Sequence, residues 1–310
     1  MNLLEIISAA CNELGLNPPA IVAGSTALQT IQMMALANRE GQGLYRDYDW
    51  TQLQKEFVIN VRFAVETTGD VTANSAVVTN IPDTSDFNTN WAVSGEGQPQ
   101  AQRVAEVLSS TSIRMEMEST ATAVGTTLTF AKDTYDIPDD FDRYLNVTAW
   151  DRTNHWRLIG PDSPQMYQYI RSGIFATGPR IRWSQIGRAP SVWRIWPPPT
   201  AQSTPDALCW MYVSRNWVEK EDGTFANSMS ADTDVPLLDP QAIILGIKWR
   251  YWQIKGMSYG SMQQEYIDYV SQLTARDGGS PDLYLNRRSG PFLIGTQSVQ
   301  DGFWPGPGNT

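Results

Sequence analysis

Histidine and cysteine are scarce in this chain of 310 residues, which contains one histidine and two cysteines. Cys11 and Cys209 each lie in an apolar run, so both are expected to be buried thiols rather than partners in a disulfide. The sequence has no CxxC pair, and a single histidine is too few for the usual ligand set of a zinc site. The composition therefore predicts no zinc site and no bound cofactor.

Long apolar runs are also absent, because no stretch approaches the roughly 18 residues that a membrane-spanning helix needs. The first residues do not follow the pattern of a signal peptide, since Glu5 interrupts the apolar run and no basic residue precedes it. Neither GxGxxG nor GxxxxGKS/T, two common phosphate-binding patterns, occurs. We therefore expect a protein that is made in a cytoplasm and has no membrane partner.

Charge is low and mostly negative. Charged residues make up 18% of the chain and the net charge is −10, whereas soluble domains typically have about 25% charged residues. An acidic chain is a poor candidate for gripping nucleic acid, although DNA can slide past a like-charged wall without being held. A surface rich in uncharged polar residues is typical of proteins that are covered by neighbours in an assembly.

Two helices are predicted within residues 1–63. The first is capped by Asn2 and runs to Leu14. The second starts near Thr26, where Gln29 is placed to complete a capping box. Helical spacing predicts that the second helix buries a stripe made of Ile31, Met34, Ala35 and Asn38.

The composition shifts over residues 64–134, where Thr, Ser, Val, Ala and Gly dominate. Five short runs about ten residues apart have the alternation of strands. They read SAVVTNI, WAVSG, RVAEVL, SIRMEM and TLTF. The spacing predicts a small antiparallel sandwich or barrel that is inserted into the surrounding domain.

Residues 135–281 are predicted to form a β-rich segment followed by two helices. A short helix near Pro164–Ser172 interrupts the strands. Asp239 can cap the longest helix, AIILGIKWRYWQIKG, which is apolar nearly all round and is expected to need neighbours on several sides. A last helix covers Ser261–Ala275. Strands are predicted at Leu145–Trp150, Arg180–Trp183, Val192–Trp196 and Leu208–Val213.

Residues 282–310 contain Gly, Pro and scattered aromatic residues without periodicity, which is typical of a frayed tail or of an arm that docks on a partner. Without a periodic apolar face, this segment is expected to become ordered only when a partner binds. The whole chain is therefore predicted to have an α+β fold. Its parts are a helical bundle from the N- and C-terminal segments, a β-rich middle, the inserted β-module and an extended C-terminal arm.

Few residues have the arrangement of a catalytic site. His155, in WDRTNHWRL, is the one histidine that a nucleophilic triad could use, but a structural residue on a turn is the simpler interpretation. Carboxylates such as Glu13, Glu40, Asp47 and Asp49 could form a glycan-cleaving pair, although any acidic chain offers such pairs. The run DIPDDFD lacks the spacing of a calcium loop and is interpreted as a turn with a capping aspartate.

The 12 tryptophans raise the possibility of a carbohydrate-binding platform. Such platforms expose their aromatic rings. Trp183, Trp193, Trp196 and Trp210, however, alternate within predicted strands, which favours packing in a core.

Several runs of the sequence, taken in order, form a pattern outside the insert that covers about 1–58 and 135–281. The runs are LLEIISAACNELGL with GSTALQTIQMMALANREG, then YDWTQLQKEF, then YDIPDDFDRYLNVTAWDRTNHWRLIGPDSP, and finally VSRNWV with DTDVPLLDPQAIILGIKWRYWQIKG and EYIDYVSQLTARDGG. This order resembles the head-to-tail adaptors of short-tailed bacteriophages, the group that includes the tail tubular protein A family. In that family a short connection joins the YDW strand to the IPDDF segment, whereas residues 64–134 intervene here.

The resemblance implies a structural virion protein, not an enzyme, in the neck of the particle. It would form a ring of twelve copies that continues and seals the DNA channel, with genomic DNA passing without specific binding. Its partners would be the portal protein, the tail nozzle and, through the inserted β-module, tail fibres. We expect the portal and subunit contacts to involve Ile243, Ile247, Trp249, Arg250, Trp252, Leu283, Tyr284, Arg287, Arg288, Phe292, Leu293, Ile294, Phe303 and Trp304.

Two other functions stay open on the sequence. A tail-fibre or receptor-binding protein would account for the β-module and the tryptophans, and it should lack the long apolar helix. A glycan-cleaving tail enzyme would depend on one or two of the carboxylates.

Overall fold

The computed structural model describes residues 1–61, 64–171, 182–187, 192–199 and 207–278. The protein is mixed α and β, as predicted, with five α-helices and several antiparallel sheets over these residues, none of which is closed. The helices are α1 (Leu3–Glu13), α2 (Leu28–Asp47), α3 (Pro164–Arg171), α4 (Pro240–Ile254) and α5 (Gly260–Asp277), with a 3-10 turn at Thr51–Leu53.

The strands are short and are spread along the whole described chain. They are β1 (Gln54–Asn60), β2 (Val65–Val71), β3 (Val77–Val78), β4 (Ala92–Gly95), β5 (Gln102–Ser109), β6 (Ser112–Met115), β7 (Ala123–Ala131), β8 (Thr134–Asp136), β9 (Phe141–Tyr144), β10 (Trp150–Asp151), β11 (Trp156–Arg157), β12 (Arg182–Ile186), β13 (Val192–Trp196), β14 (Ala207–Ser214), β15 (Val218–Glu219), β16 (Phe225–Ala226) and β17 (Val235–Pro236).

The described residues fall into two compact units. The helical unit contains α1, α2, α4 and α5, and the sheet unit contains the insert, α3 and most of the strands. The predicted division places residues 135–281 in one segment, whereas the compact units separate 146–210, which cluster with the insert, from the C-terminal helices. The predicted arm at 282–310 lies outside the described residues.

Helix α4 lies at the centre of the helical unit and packs against α1, α2 and α5. Asp239 caps its first turn as predicted, because its carboxylate accepts hydrogen bonds from the backbone N–H groups of Gln241 (2.8 Å) and Ala242 (3.1 Å). An all-round apolar helix needs neighbours on every side, and three helices of the same chain supply them. No helix of the described residues is both long and apolar enough to cross a bilayer.

Helix α1 begins as the sequence predicts. The Asn2 side chain accepts a hydrogen bond from the backbone N–H of Glu5 at 2.9 Å, and the Glu5 carboxylate accepts one from the Asn2 backbone at 3.0 Å. This reciprocal capping box satisfies two N–H groups that the helix leaves without partners.

Helix α2 begins at Leu28, close to its predicted start, but the predicted capping box is absent, because the N-cap residue is Ala27, which makes no side-chain capping bond. Of the predicted buried stripe, Ile31 and Ala35 are exposed, whereas Met34 and Asn38 are partly buried. The buried face consists instead of Thr30, Met33, Leu36, Ala37, Glu40, Gly41, Leu44 and Tyr45.

The acidic run DIPDDFD contains a turn at residues 139–140, as predicted, and its Asp140 is the centre of a group of side-chain hydrogen bonds. The Asp140 carboxylate accepts hydrogen bonds from Tyr212 (2.8 Å), Ser214 (2.8 Å) and Lys55 (2.7 Å). Burial would raise the pKa of Asp140, but the bonds from Lys55, Ser214 and Tyr212 outweigh it and hold the pKa below its usual value.

The insert in the sheet unit forms a six-stranded sheet in the order β2-β7-β4-β5-β6-β3. All five predicted strands are present, and the sixth, β2, was missed because VETTGDV has little apolar content. The two edge strands of this sheet are β2 and β3. One isolated pair of backbone hydrogen bonds, between Asp70 of β2 and Thr79 just after β3, links them. The buried side chains of this sheet include Val71, Val78, Ile81, Phe87, Trp91, Val93, Val104, Ile113, Met115, Leu128 and Phe130.

A cluster of tryptophans joins a second sheet, ordered β12-β13-β8, to strand β14 of another sheet: Trp183 and Trp193 lie on the former and Trp210 on the latter. Trp193 and Trp210 stack with their ring centroids 4.5 Å apart, and Trp183 meets both rings edge-on. All three side chains are buried, and Trp196 is partly buried. The prediction that these tryptophans form a core rather than an open platform is confirmed for the three rings of the cluster.

One predicted strand of the middle segment is wrong and another is only partly described. Within the run Leu145–Trp150 only Trp150 is in a strand, where it begins β10; residues 146–147 form a turn with Val147 at a positive φ of 69°, and the main strand lies earlier, at β9. Residues 180 and 181 of the predicted Arg180–Trp183 strand lie outside the described residues. The Val192–Trp196 strand is confirmed, and so is the Leu208–Val213 strand within β14.

Candidate assembly surface

The predicted interface residues on α4 lie in the interior of the helical unit. Ile243 and Ile247 have no exposed surface, and Trp249 is only 8% exposed. Their apolar side chains therefore do not require a second subunit, and the predicted need for neighbours from other copies is met within this chain. Trp252 is partly buried, and Ile254, at the end of the helix, is 52% exposed. Among the predicted interface residues on α4, Trp252 therefore leaves part of its surface open to another protein.

Arg250 is committed to an internal ion pair. Its Nε donates to the Glu40 carboxylate of α2 at 2.6 Å, and Glu40 has no exposed surface. The guanidinium also lies over the ring of Trp249, 4.4 Å from its centroid. Arg250 therefore joins α4 to α2, and its side chain is only 18% exposed.

The close approach of α2 and α4 at this pair depends on Gly246. A Cβ atom at this position would lie 2.3 Å from both Cγ and Cδ of Glu40, closer than atoms of two residues can approach. Tyr266 of α5 completes the cluster. Burial, and then the negative charge of Glu40, raises the pKa of the Tyr266 phenol.

Helix α5 forms the outer layer of the helical unit. None of its residues is buried, although it is 18 residues long. Tyr266, Tyr269, Val270 and Leu273 pack on the core as partly buried side chains, while Ile267 on the outer face is 49% exposed. A helix that covers the core on one side only leaves most of its surface available to another protein.

Open grooves lie on both sides of α5. The first, the α4–α5 groove, has a volume of about 700 Å³ and contains Leu245 and Tyr269 together with the acidic residues Glu265 and Asp268. The second, between α5 and the C-terminal end of α2, has a volume of about 550 Å³ and includes Tyr48, Trp50 and Val270 among its lining residues. Because of these grooves, the surface around α5 is concave and partly apolar, which suits contacts with another protein.

The C-terminal end of α5 is tied to the start of the 3-10 turn. Asp277 accepts hydrogen bonds from the backbone N–H of Thr51 at 2.9 Å and from its hydroxyl at 2.7 Å. The predicted interface residues beyond this point lie outside the described residues, and they are Leu283, Tyr284, Arg287, Arg288, Phe292, Leu293, Ile294, Phe303 and Trp304. Their role in an interface stays a prediction.

Most of the candidate catalytic carboxylates are held in ion pairs. His155 is exposed in the turn between β10 and β11, with a positive φ of 57°. Glu13 and Asp49 are paired with Lys248 and Arg143, respectively. Among the described residues, no group of three or more His, Cys, Asp or Glu side chains could hold a metal ion.

Comparison with known proteins adds no relative: no protein-family model matches the chain, and no curated protein matches it. The function of the protein is therefore inferred from the chemistry and shape of its own surface.

Proposed function

We propose that this protein is a structural virion component, a head-to-tail adaptor that forms a ring between the portal and the tail of a short-tailed phage. The ring continues and seals the DNA channel, and the acidic wall lets genomic DNA pass without specific binding. In this proposal the helices form a bundle that faces the portal and neighbouring subunits. The inserted sheet forms a small sandwich or barrel that faces the tail nozzle or the tail fibres, and the C-terminal segment is an arm.

The observation that carries the proposal is the exposure of α5. A helix of 18 residues without one buried residue, flanked by two open grooves, provides a surface of the kind that protein partners cover. The order of sequence runs that resembles the adaptor family supports the same function. A ring also multiplies weak contacts, because each copy adds a modest interface and the assembly sums them.

The two rival functions, a receptor-binding protein and a glycan-cleaving enzyme, have less support. A receptor-binding protein that uses tryptophans to hold glycans needs exposed rings, whereas Trp183, Trp193 and Trp210 are buried. A glycan-cleaving enzyme needs two facing carboxylates, whereas Glu13, Glu40 and Asp49 are each paired with a cation.

The test is the native mass of the purified protein with and without its cognate portal. A ring-sized complex that forms on adding portal is the expected result. A stable trimer that is indifferent to portal would overturn the adaptor function and favour a tail fibre.

A matched pair of variants tests whether α5 provides the surface. Ile267→Arg places a charge on the outer face of α5 and should prevent formation of the portal complex. Val124→Arg makes the same kind of change at a valine of the insert that is 82% exposed, and it should leave the complex intact. Equal behaviour of the two variants would remove α5 from the interface.

A further inference from the structure

The outward face of α2 is an unpartnered stripe. Leu28, Ile31, Ala35, Arg39 and Arg46 are all exposed, and their spacing of three, four or seven residues places them on one side of the helix. Leu28 is 81% exposed and Ile31 is 49% exposed. This α2 stripe is therefore apolar in its N-terminal half and basic in its C-terminal half.

Neither arginine of the stripe forms a salt bridge with a carboxylate of the described residues, although Arg46 donates from its Nε to the Tyr45 hydroxyl at 3.1 Å. Both side chains are exposed, so the stripe presents positive charge on a chain whose net charge is −10. An acidic protein surface is the complementary partner.

The α4–α5 groove has the matching character. Leu245 and Tyr269 give it an apolar floor, Glu265 and Asp268 make its rim acidic, and no basic residue lines it. The groove shares no residue with the α2 stripe, so the two surfaces are different patches of the same helical unit.

We propose that the α2 stripe of one copy of this chain docks in the α4–α5 groove of the next copy. Leu28 and Ile31 lie toward the apolar floor, and Arg39, about three turns beyond Leu28 on the same face, pairs with the acidic rim. An interface between two different patches is heterologous, and repeated contacts of this kind close into a ring or extend into a filament. The inference rests on the proposed ring and identifies the contact between its subunits.

Cysteine cross-linking tests the contact directly. Ala35→Cys marks the stripe and Gln264→Cys marks the groove, since both residues are exposed while Cys11 and Cys209 are buried. When the two single variants are mixed under mild oxidation, on the portal complex if the ring forms only there, a disulfide between positions 35 and 264 should form at least about tenfold faster than 35–35 or 264–264 pairs. Val124→Cys mixed with Gln264→Cys is the control for random collision.

Charge reversal gives a second, independent measurement. Arg39→Glu, or Glu265→Lys with Asp268→Lys, should each weaken ring formation about 10- to 100-fold, because like charges then meet at the contact. Mixing the two variants should restore assembly, since a heterologous ring can alternate them. Restoration by mixing is expected only if the stripe meets the groove.

The outcomes separate this interface from the adaptor function. If the wild-type protein forms no oligomer with or without portal, both are wrong. If it forms a ring but the 35–264 pair links no faster than the control and the reversed variants assemble normally, the α2–groove contact is wrong and the ring stands. If the reversed stripe loses portal binding but keeps the ring, the stripe contacts the portal and not a second copy.

Discussion

Each compact unit contains a buried pair of an arginine and a carboxylate, and the two pairs are completed differently. In the sheet unit, Arg103 and Asp133 are 3% and 0% exposed, and Arg103 makes two bonds to the Asp133 carboxylate and one to the Tyr167 hydroxyl. In the helical unit, Glu40 is fully buried, but Arg250 is 18% exposed. Each pair leaves one buried atom without a hydrogen bond among the described residues, Nε of Arg103 and Oε1 of Glu40.

The difference shows what each pair requires from its surroundings. Burial would lower the pKa of Arg103, but the bonds and the charge of Asp133 outweigh it and raise the pKa, so the buried guanidinium stays protonated. Arg250 keeps contact with water and loses less when its partner is removed. A fully desolvated pair is therefore the more sensitive to the loss of one member.

The largest expected effect follows from removing Asp133. Asp133→Ala leaves the Arg103 guanidinium buried without its counterion and should lower the free energy of unfolding by about 3–5 kcal/mol. Urea denaturation followed by near-ultraviolet circular dichroism of the tryptophan cluster measures it. Glu106→Ala removes the carboxylate of an exposed pair with Arg114, and as a control it should change stability by less than about 1 kcal/mol. Equal losses of stability for Asp133→Ala and Glu106→Ala would show that burial does not make the Arg103–Asp133 pair more sensitive than the exposed pair.

A smaller loss is expected from Gly246→Ala, which pushes a methyl group into Glu40 and displaces it from Arg250. Overpacking of this kind should cost about 1–3 kcal/mol. Gly43→Ala is the matched control, because Gly43 lies in α2 with nothing within 4 Å of a Cβ atom. That change should stabilise the helix by roughly 0.5–1 kcal/mol. If Gly246→Ala and Gly43→Ala changed the stability in the same direction, the close contact between residue 246 and Glu40 would be contradicted.

Glu40→Gln sharpens the comparison of the two pairs. The amide keeps the volume of the side chain but removes the charge, and Arg250 can turn toward water. A loss of about 1–2 kcal/mol is expected in thermal or urea unfolding, below the loss for Asp133→Ala. A loss of stability as large as that of Asp133→Ala would mean that the partial exposure of Arg250 does not reduce the cost of removing its counterion.

The smallest effect concerns pH. The pKa of Asp140 is lower in the folded protein than its usual value of about 3.9, so its ionised form contributes stability above that pH, and the contribution is lost as the pH falls through the folded value. Urea midpoints of the helical signal should therefore fall between pH 5 and pH 3, on the order of a fraction of a kcal/mol from this group. Asp140→Asn should make that fall shallower, and an unchanged slope would exclude Asp140 as its source.

Much of the secondary structure follows from the sequence, because helix starts and short strands depend on local chemistry. The capping residues Asn2 and Asp239 and the five strands of the insert are confirmed. Strand β2 was missed, since the run VETTGDV has no alternating apolar pattern and becomes a strand only by pairing with β7. The capping box predicted at the start of α2 is absent, because the N-cap residue is Ala27, whose side chain cannot accept a hydrogen bond.

The candidate surface was harder to predict. The apolar length of α4 correctly indicated a helix with neighbours on all sides, but not that α1, α2 and α5 of the same chain supply them. The sequence also does not indicate that Glu40 is a buried member of the candidate carboxylates, because its partner Arg250 lies 210 residues away along the chain. No local pattern marks such a pair, because both charges are typical of exposed helix faces.

The sequence by itself determined the scarcity of histidine and cysteine, the places where most helices and strands begin, and the burial of the tryptophan cluster. These features depend on composition or on residues within one turn or strand of each other. Only the tertiary structure decided which face of α2 is buried, which carboxylates are paired, and that α5 rather than α4 is the exposed helix. Those outcomes depend on contacts between distant segments, which form only when the chain has packed.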